Sequence, residues 1–433
     1  MGRTLVWMTD DLRTVDNLAL ATAMAEPGCA AVLRVRPEAR GRPARTVGRR
    51  RLEEAAEATI AERLGAVGVP FEAAGAGDDS SISAWCRRLG CNAVVRNAAD
   101  GTPLENIYRA EAEDDLRTSG IPSRTVNGTA IALAGPGSEA ALQPHLGPGG
   151  MPRTAVSEEE PIARLRVFLA ALPSRGYRQG MWMPGRDRDA TSLLSTDIAA
   201  GTLSGDRAEA ETARAEQAWH AANPGCAGTP EGRSFRSFAA RLGWRRGFME
   251  AFSGSTEPRP PPPLPASDRA AMAAWATGTT GVPMVDAAMR ELAATGWANF
   301  RMRQTVASFA IQTLGLPAYD AGMRLAELFD DYEPGITWLQ MGLHAGTVGR
   351  SRGPRIVNPV KQGRELDPDE TYVRRWLPEL AALPSGFAHE PWRHPDSPLP
   401  PPIVDHEAAA RTARARWPGE QTGAGGTGQP LLL

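Results

Sequence analysis

Short runs of consecutive apolar residues open the chain. Thr4-Leu5-Val6-Trp7-Met8, the run from Cys29 to Val35 (CAAVLRV), Val69 to Ala73 and Asn92-Ala93-Val94-Val95 have the length and continuity of strands buried on both faces. Between them, Arg50 to Leu64 and Ser81 to Leu89 place apolar residues at helical spacing, each followed by a glycine, Gly65 or Gly90, that can terminate a helix. Strand–helix alternation at this period predicts a parallel sheet with helices on both faces. Ligands of such sheets sit beyond the carboxyl ends of the strands, so Thr9-Asp10-Asp11 is either a pocket edge or a surface turn.

Further along, the pattern changes. Ala134 to Pro152 is rich in Gly, Pro and Ser and predicts a linker. From Glu158 onward helical spacing takes over, as in Pro283 to Ala294, which stops at Thr295-Gly296, and in the series Met302, Val306, Phe309, Ala310, Thr313. Residues 258–265 (PRPPPPLP) read as a stiff spacer between helices. The expected organisation is an α/β domain over residues 1–133, a linker over 134–154, an all-α domain over 155–417 and a disordered Gly/Thr-rich tail over 418–433.

Composition narrows the functional classes. With 42% hydrophobic and 23% charged residues, the 433-residue chain can bury sizeable cores. Its 48 Lys and Arg face 50 Asp and Glu, so overall basicity cannot drive nucleic-acid binding and any such site must be a local cleft. Four cysteines are too few for a disulfide scaffold, and Cys86 and Cys91 have no His or second Cys pair near them in sequence, so no metal or iron–sulfur cluster is expected. No apolar run is long enough to cross a bilayer and no leader is evident, which predicts a soluble cytoplasmic protein with no membrane partner.

Two clusters carry candidate chemistry. Thr191-Ser192-Leu193-Leu194-Ser195 sets three hydroxyls at a predicted helix start, where they either cap the helix or hold a phosphate. In Trp297-Ala298-Asn299-Phe300-Arg301-Met302-Arg303, two arginines two apart must point in different directions on a helix, leaving Arg303 to pair with an acid such as Asp330 or Asp331.

These residues resemble a known family. Leu5 to Arg13 with Asp16 to Leu20, the segment Gly278 to Arg290 (GTTGVPMVDAAMR), Gly296 to Phe309 (GWANFRMRQTVASF), Arg355 to Gln362 (RIVNPVKQ) and Tyr372 to Leu380 (YVRRWLPEL) are similar, in order and spacing, to the photolyase/cryptochrome family. The resemblance implies an α/β antenna domain followed by an all-α domain holding FAD, with the second chromophore unspecified. It implies that Thr191, Ser192, Leu194 and Ser195 form the flavin-phosphate loop, with Tyr177 and Arg245 as further contacts. Asn299, Phe300, Arg303, Asp330, Tyr332 and Gly335 would line the flavin, with Asp330 the acidic partner of Arg303. Trp244 matches a tryptophan that packs against flipped-out pyrimidines in repair enzymes, and Arg301 would support lesion binding.

Departures from the family pattern bear on the activity. Arg241 stands where repair enzymes carry a glutamate, and Phe300 where an asparagine is usual. The segment Tyr332 to Trp338 is shortened, leaving Gly335 or Ile336 where an amide would tune the flavin's protonation. The usual tryptophan relay falls on Pro265 or Ala266, Pro317 and Leu339, although Trp338 and Tyr319 lie close enough in sequence to supply another route or simply to pack. The expected function is therefore light-driven electron transfer to pyrimidine lesions in DNA, a carbon–carbon lyase reaction of the deoxyribodipyrimidine photo-lyase type with damaged DNA as partner. A photoreceptor without repair activity and a flavoprotein turned to small-molecule redox chemistry are the alternatives, and the oligomeric state is left open.

Overall fold

The structure, a computed structural model, describes residues 3–25, 30–36, 46–75, 81–98, 103–126, 159–253, 264–348 and 355–415. The expected linker, the tail, Cys29 and most of the proline run lie outside the described residues.

The N-terminal region builds the predicted sheet. Strands β1 (Arg3–Met8), β2 (Ala31–Val35), β3 (Phe71–Ala74), β4 (Cys91–Asn97) and β5 (Ser123–Val126) pair in the order β3-β2-β1-β4-β5, all parallel. Helices α1 (Leu18–Ala25), α2 (Val47–Ala66), α3 (Ile82–Leu89) and α4 (Pro103–Thr118) form the crossovers. Because side chains alternate along a strand, Val6 and Met8 join Leu20, Ile60 and Leu64 on one face, while Leu5 and Trp7 join Trp85, Cys86 and Leu116 on the other. Helices therefore cover both faces, as the continuous apolar strands require. Gly90 closes α3 in the left-handed conformation (φ 67°). The expected stop at Gly65 is displaced, since α2 runs through it to Ala66 and ends at Val67.

The remaining helices are α5 (Glu159–Ala171), α6 (Tyr177–Gly180), α7 (Asp187–Ala190), α8 (Ser195–Ala200), α9 (Gly205–Ala222), α10 (Pro230–Ser253), α11 (Ala266–Thr277), α12 (Pro283–Thr295), α13 (Phe300–Ser308), α14 (Ala318–Ala326), α15 (Pro334–Ala345), α16 (Pro359–Leu366), α17 (Thr371–Trp376) and α18 (His406–Ala415). The chain divides into two compact units that exchange segments. One comprises Met1–Ser174, Ser192–Glu257 and Asp330–Gly335, and the other Arg175–Thr191, Pro258–Phe329 and Ile336–Leu433.

In the first unit, α8 is tied to the end of β1. A Cβ on Gly201, which ends α8 at φ 77°, would stand 1.9 Å from the Asp10 carbonyl oxygen, and Arg13 Nη1 donates to the Gly201 carbonyl at 3.0 Å. In the second, the segment Thr280 to Asp286 owes its composition to one buried carboxylate. Asp286 accepts from Thr280 N (2.8 Å), Thr280 Oγ1 (2.7 Å) and Gly281 N (2.9 Å), closing the turn that starts α12. Helix α13 passes into a π turn, Phe309–Thr313, an irregularity that regular 3.6-residue spacing does not signal. Gln312 Nε2 there donates to the His344 carbonyl at 2.6 Å, and His344 Nδ1 meets the Arg355 carbonyl at 3.2 Å.

Candidate flavin site

The segment containing the phosphate-loop residues spans the boundary between units, Tyr177 and Thr191 belonging to one and Ser192, Leu194 and Ser195 to the other. Helix α8 begins at Ser195 with Leu194 as its N-cap, and no side chain caps it. The capping role open to these hydroxyls on sequence grounds is not taken up. Ser192 Oγ accepts only a local turn bond from Leu194 N (3.4 Å), and Ser195 Oγ is buried without a hydrogen-bond partner. Leu193 between them is held at φ 52°, a conformation that costs a leucine about 1–2 kcal/mol. A strained turn ahead of uncapped helical N–H groups, with a buried hydroxyl lacking a partner, fits an anionic ligand such as a cofactor phosphate.

Other candidates in this unit are braced around α8. Arg49 of α2, only 2% exposed, bonds to the Ala199 carbonyl at the end of α8, to Glu53 at 2.6 Å and to the Asp330 carbonyl at 3.4 Å. The Asp330 carboxylate accepts from Thr46 Oγ1, and Gly48 makes room for it, since a Cβ there would lie 2.3 Å from Oδ2. Burial pushes this carboxyl above its ordinary range, against the lowering effect of Thr46. Arg245 on α10 holds Glu333 through two bonds, one from Nε at 2.8 Å, and Gly205 at the start of α9 leaves space for its guanidinium. Gly335 is compelled by a close approach, as a Cβ would fall 2.8 Å from Met249 Sδ. Tyr332 is half-buried on the same short segment. On α10, Trp244 is half-buried with the Arg241 guanidinium carbon 4.4 Å from its ring centre.

The second unit holds the arginine pair. Asn299 caps α13 by accepting from Met302 N at 2.9 Å, while its Nδ2 is buried without a partner. Arg301 and Arg303 diverge as their spacing demands. Arg303 Nε donates to the Ala298 carbonyl at 2.7 Å and its guanidinium lies 4.3 Å over Phe329. Arg301 reaches Gln304 Oε1 at 3.2 Å and lies 5.1 Å over Trp182, which in turn packs edge-on against Phe300. Its Nε is buried with no acceptor, and burial, reinforced by the nearby charge of Arg355, holds its pKa below the usual arginine range. Trp338 stacks on Tyr319 at 5.5 Å with rings 17° apart, in space left by Gly322, whose Cβ would strike the indole at 2.6 Å. Tyr177 is buried at the start of α6, and Thr191 is half-buried.

Residues 234–418 match the family model for the FAD binding domain of DNA photolyase, and this stretch contains most of α10, the Asp330–Gly335 segment and α13. Over that stretch the chain carries the FAD-binding domain of the DNA photolyases, and its likeness is to photolyases and cryptochromes. It is 44% identical over 119 residues to a cryptochrome DASH of Gloeobacter violaceus, covering 28% of this chain and 24% of that protein. It is 35% identical over 239 residues to a deoxyribodipyrimidine photo-lyase of Streptomyces griseus, covering 53% of this chain and 49% of that protein. These matches thus span about a quarter and about half of the relatives' own lengths. A bacterial class III photolyase structure from Agrobacterium tumefaciens superposes with a TM-score of 0.73 over 96% of this chain and 97% of that one, at 23% identity, a likeness of fold. The family's cofactor is FAD, and the partnerless Ser195 Oγ and Asn299 Nδ2, each at a position the family resemblance assigns to the flavin, suit it.

Sequence reasoning missed Arg49, Thr46 and Glu333, because nothing local in the sequence says that Arg49 and Thr46 will reach Asp330 or that Glu333 will hold Arg245. It also missed Trp182, which carries no spacing signal. The Thr9-Asp10-Asp11 segment proves to be a pocket edge. It lines a cavity of about 130 Å³ at the ends of β1 and β4, where strand order reverses, with Asp11 accepting from Asn97 Nδ2 at 2.7 Å. No group of three His, Cys, Asp or Glu converges, and no helix is long and apolar enough to cross a membrane, among the described residues.

Proposed function

We propose that this chain is a light-driven flavoprotein of the photolyase type that transfers an electron to a pyrimidine lesion in DNA. The observation that carries this reading is Arg301. It is half-buried, its side-chain partners among the described residues are Gln304 and Trp182, and the like charge of Arg355 acts on it more strongly than the opposite charge of Glu365. A desolvated cation without a carboxylate in salt-bridge contact is costly unless an anion completes it, and a nucleic-acid phosphate does so bidentately. Trp244 offers an indole for an extruded base, with stacking worth about 1–3 kcal/mol. In each unit the remaining residues hold and orient the cofactor. In the first unit Ser192, Ser195 and the α8 N–H groups suit the phosphates of FAD, with the strut of Arg49 and Asp330 fixing α8; in the second, Arg303 and Asn299 are the separate candidates for flavin contact. FAD, when bound and reduced, supplies the excited-state electron donor.

The test is blue-light-dependent repair of a thymine-dimer oligonucleotide by protein whose flavin has been chemically reduced, which bypasses any internal electron relay. Repair above a no-protein control is the expected result, and absence of repair with FAD bound and reduced refutes the reading. Arg301→Ala should weaken binding to damaged and intact duplex alike and reduce the slope of log K against log salt by about 1. The occupied indole face of Trp244 favours a second reading, a photoreceptor without repair activity, which the same null result would leave standing.

A further inference from the structure

The cavity at the carboxyl ends of β1 and β4 lies within the first unit and takes no part in the function proposed above. Its volume of about 130 Å³ has room for several waters, one phosphate or a single ring, and is well under the roughly 300–1,000 Å³ of sites that take drug-sized ligands. A polycyclic second chromophore does not fit inside it. Its wall has donors to spare. Trp7 is only 2% exposed, yet its Nε1 is buried with no hydrogen-bond partner among the described residues. Three arginines, Arg13, Arg96 and Arg109, line the cavity against two acids, Asp10 and Asp11, and both acids are engaged by other groups. Asp11 accepts from Thr9 N at 2.9 Å, Asn97 Nδ2 at 2.7 Å and Asn17 Nδ2 at 3.3 Å, while Asp10 pairs with the fully buried Arg34 at 3.8 Å. Arg96 holds Glu113 of α4, which does not line the cavity, and sets its guanidinium carbon 5.8 Å from the centre of the Trp7 ring. A buried donor without an acceptor is costly, and a wall richer in guanidinia than in carboxylates favours an anionic acceptor.

We propose that this cavity binds one phosphate group, which accepts from the Trp7 indole N–H and is held by Arg96 and Arg109. The inference rests on neither the flavin nor the nucleic-acid reading. Donors reach the cavity from β1, β4 and α4, three directions that the several oxygens of a tetrahedral oxyanion can meet together. The place is the one where a parallel sheet offers a ligand site, because strand order reverses there. The phosphate is either inorganic or the end group of a mononucleotide whose remainder stays outside the cavity.

The experiment uses the full FAD-loaded chain, so that the flavin site does not compete for phosphate, with its tryptophan indoles labelled with nitrogen-15. The Trp7 Nε1–H resonance is the one lost in Trp7→Phe, a variant that keeps an aromatic ring against Tyr108. Titration with inorganic phosphate should shift that resonance saturably. Calorimetry should show Trp7→Phe weakening phosphate by about 10- to 150-fold, the range of one hydrogen bond to a charged group, and Arg96→Gln by a comparable factor. Adenosine monophosphate that binds more tightly than phosphate with the same Trp7 shift supports the site and assigns a nucleotide as the source, whereas equal or weaker binding supports it with free phosphate as the source. No Trp7 shift with either compound, or an affinity unchanged in Trp7→Phe, overturns the proposal. A saturable Trp7 shift with riboflavin, which carries no phosphate, overturns it as well and makes the cavity a site for ring systems. Should Trp7→Phe fail to fold, the half-buried Arg96 still provides the comparison, and an unchanged phosphate affinity in Arg96→Gln overturns the proposal.

Discussion

Gly201→Ala isolates the junction between α8 and the end of β1. The glycine sits at φ 77°, and an added Cβ would meet Asp10 O at 1.9 Å and Asp11 Cα at 2.9 Å. Two costs follow. The left-handed backbone penalises an L side chain by about 1–2 kcal/mol. The overlap requires the α8 turn and the β1–α1 loop to part by about an ångström before van der Waals contact is restored, an overpacking worth about 1–3 kcal/mol. The sum predicts a loss of about 2–5 kcal/mol. Two control glycines separate the contributions. Gly68 has φ 74° with open space around it, so Gly68→Ala should carry only the backbone cost. Gly65 lies within α2 with nothing near its missing Cβ, so Gly65→Ala should stabilise by about 0.5–1 kcal/mol. Urea unfolding followed by far-UV circular dichroism ranks the three. A Gly201→Ala loss no larger than that of Gly68→Ala would refute the close approach between α8 and Asp10.

Three further outcomes are expected. Ser195→Ala and Arg303→Ala should each lower the FAD retained per chain after purification, and unchanged flavin stoichiometry would count against their assignment to the cofactor. His344 is driven by burial from 6.5 down to about 4, so the unfolded chain takes up a proton that the folded chain refuses; stability should fall as pH drops from about 6.5 to about 4, by up to roughly 3 kcal/mol, and His344→Gln should flatten that slope in urea titrations at stepped pH. Among the described cysteines, Cys86 is buried with its thiol pushed up to about 12 and Cys91 is likewise raised, so a thiol reagent at neutral pH should label the partly exposed Cys226 ahead of both, as peptide mapping would read.

What was legible in the sequence followed from burial. Strands β1, β2 and β4 and helix α12 declared themselves because their residues are apolar on the faces they bury, and Gly296 closes α12 left-handed as the Thr-Gly stop predicts. Strand β5 was missed because Ser-Arg-Thr-Val at the sheet edge is largely exposed and carries no apolar signal. The π turn was missed because its apolar residues, Phe309, Ala310 and Thr313, keep nearly helical spacing. At the candidate site the hydroxyl cluster and the arginine pair were readable as residue types. Whether the hydroxyls cap α8 was not, because that depends on Leu193 adopting a left-handed turn that leucine rarely takes. Nor could spacing show that Asp330 bonds with Thr46, 284 residues earlier.

The interleaving of the two units bears on how the protein is made. The first unit is not finished when residue 257 leaves the ribosome, for it still lacks Asp330 to Gly335. Until those six residues appear, Thr46 and Arg49 have no Asp330 to bind and Arg245 no Glu333. At about 5–20 residues per second of synthesis, the nascent chain waits several seconds with these groups incomplete. Truncations that stop short of residue 335 should therefore yield a first unit with its cationic struts exposed to chaperones and proteases.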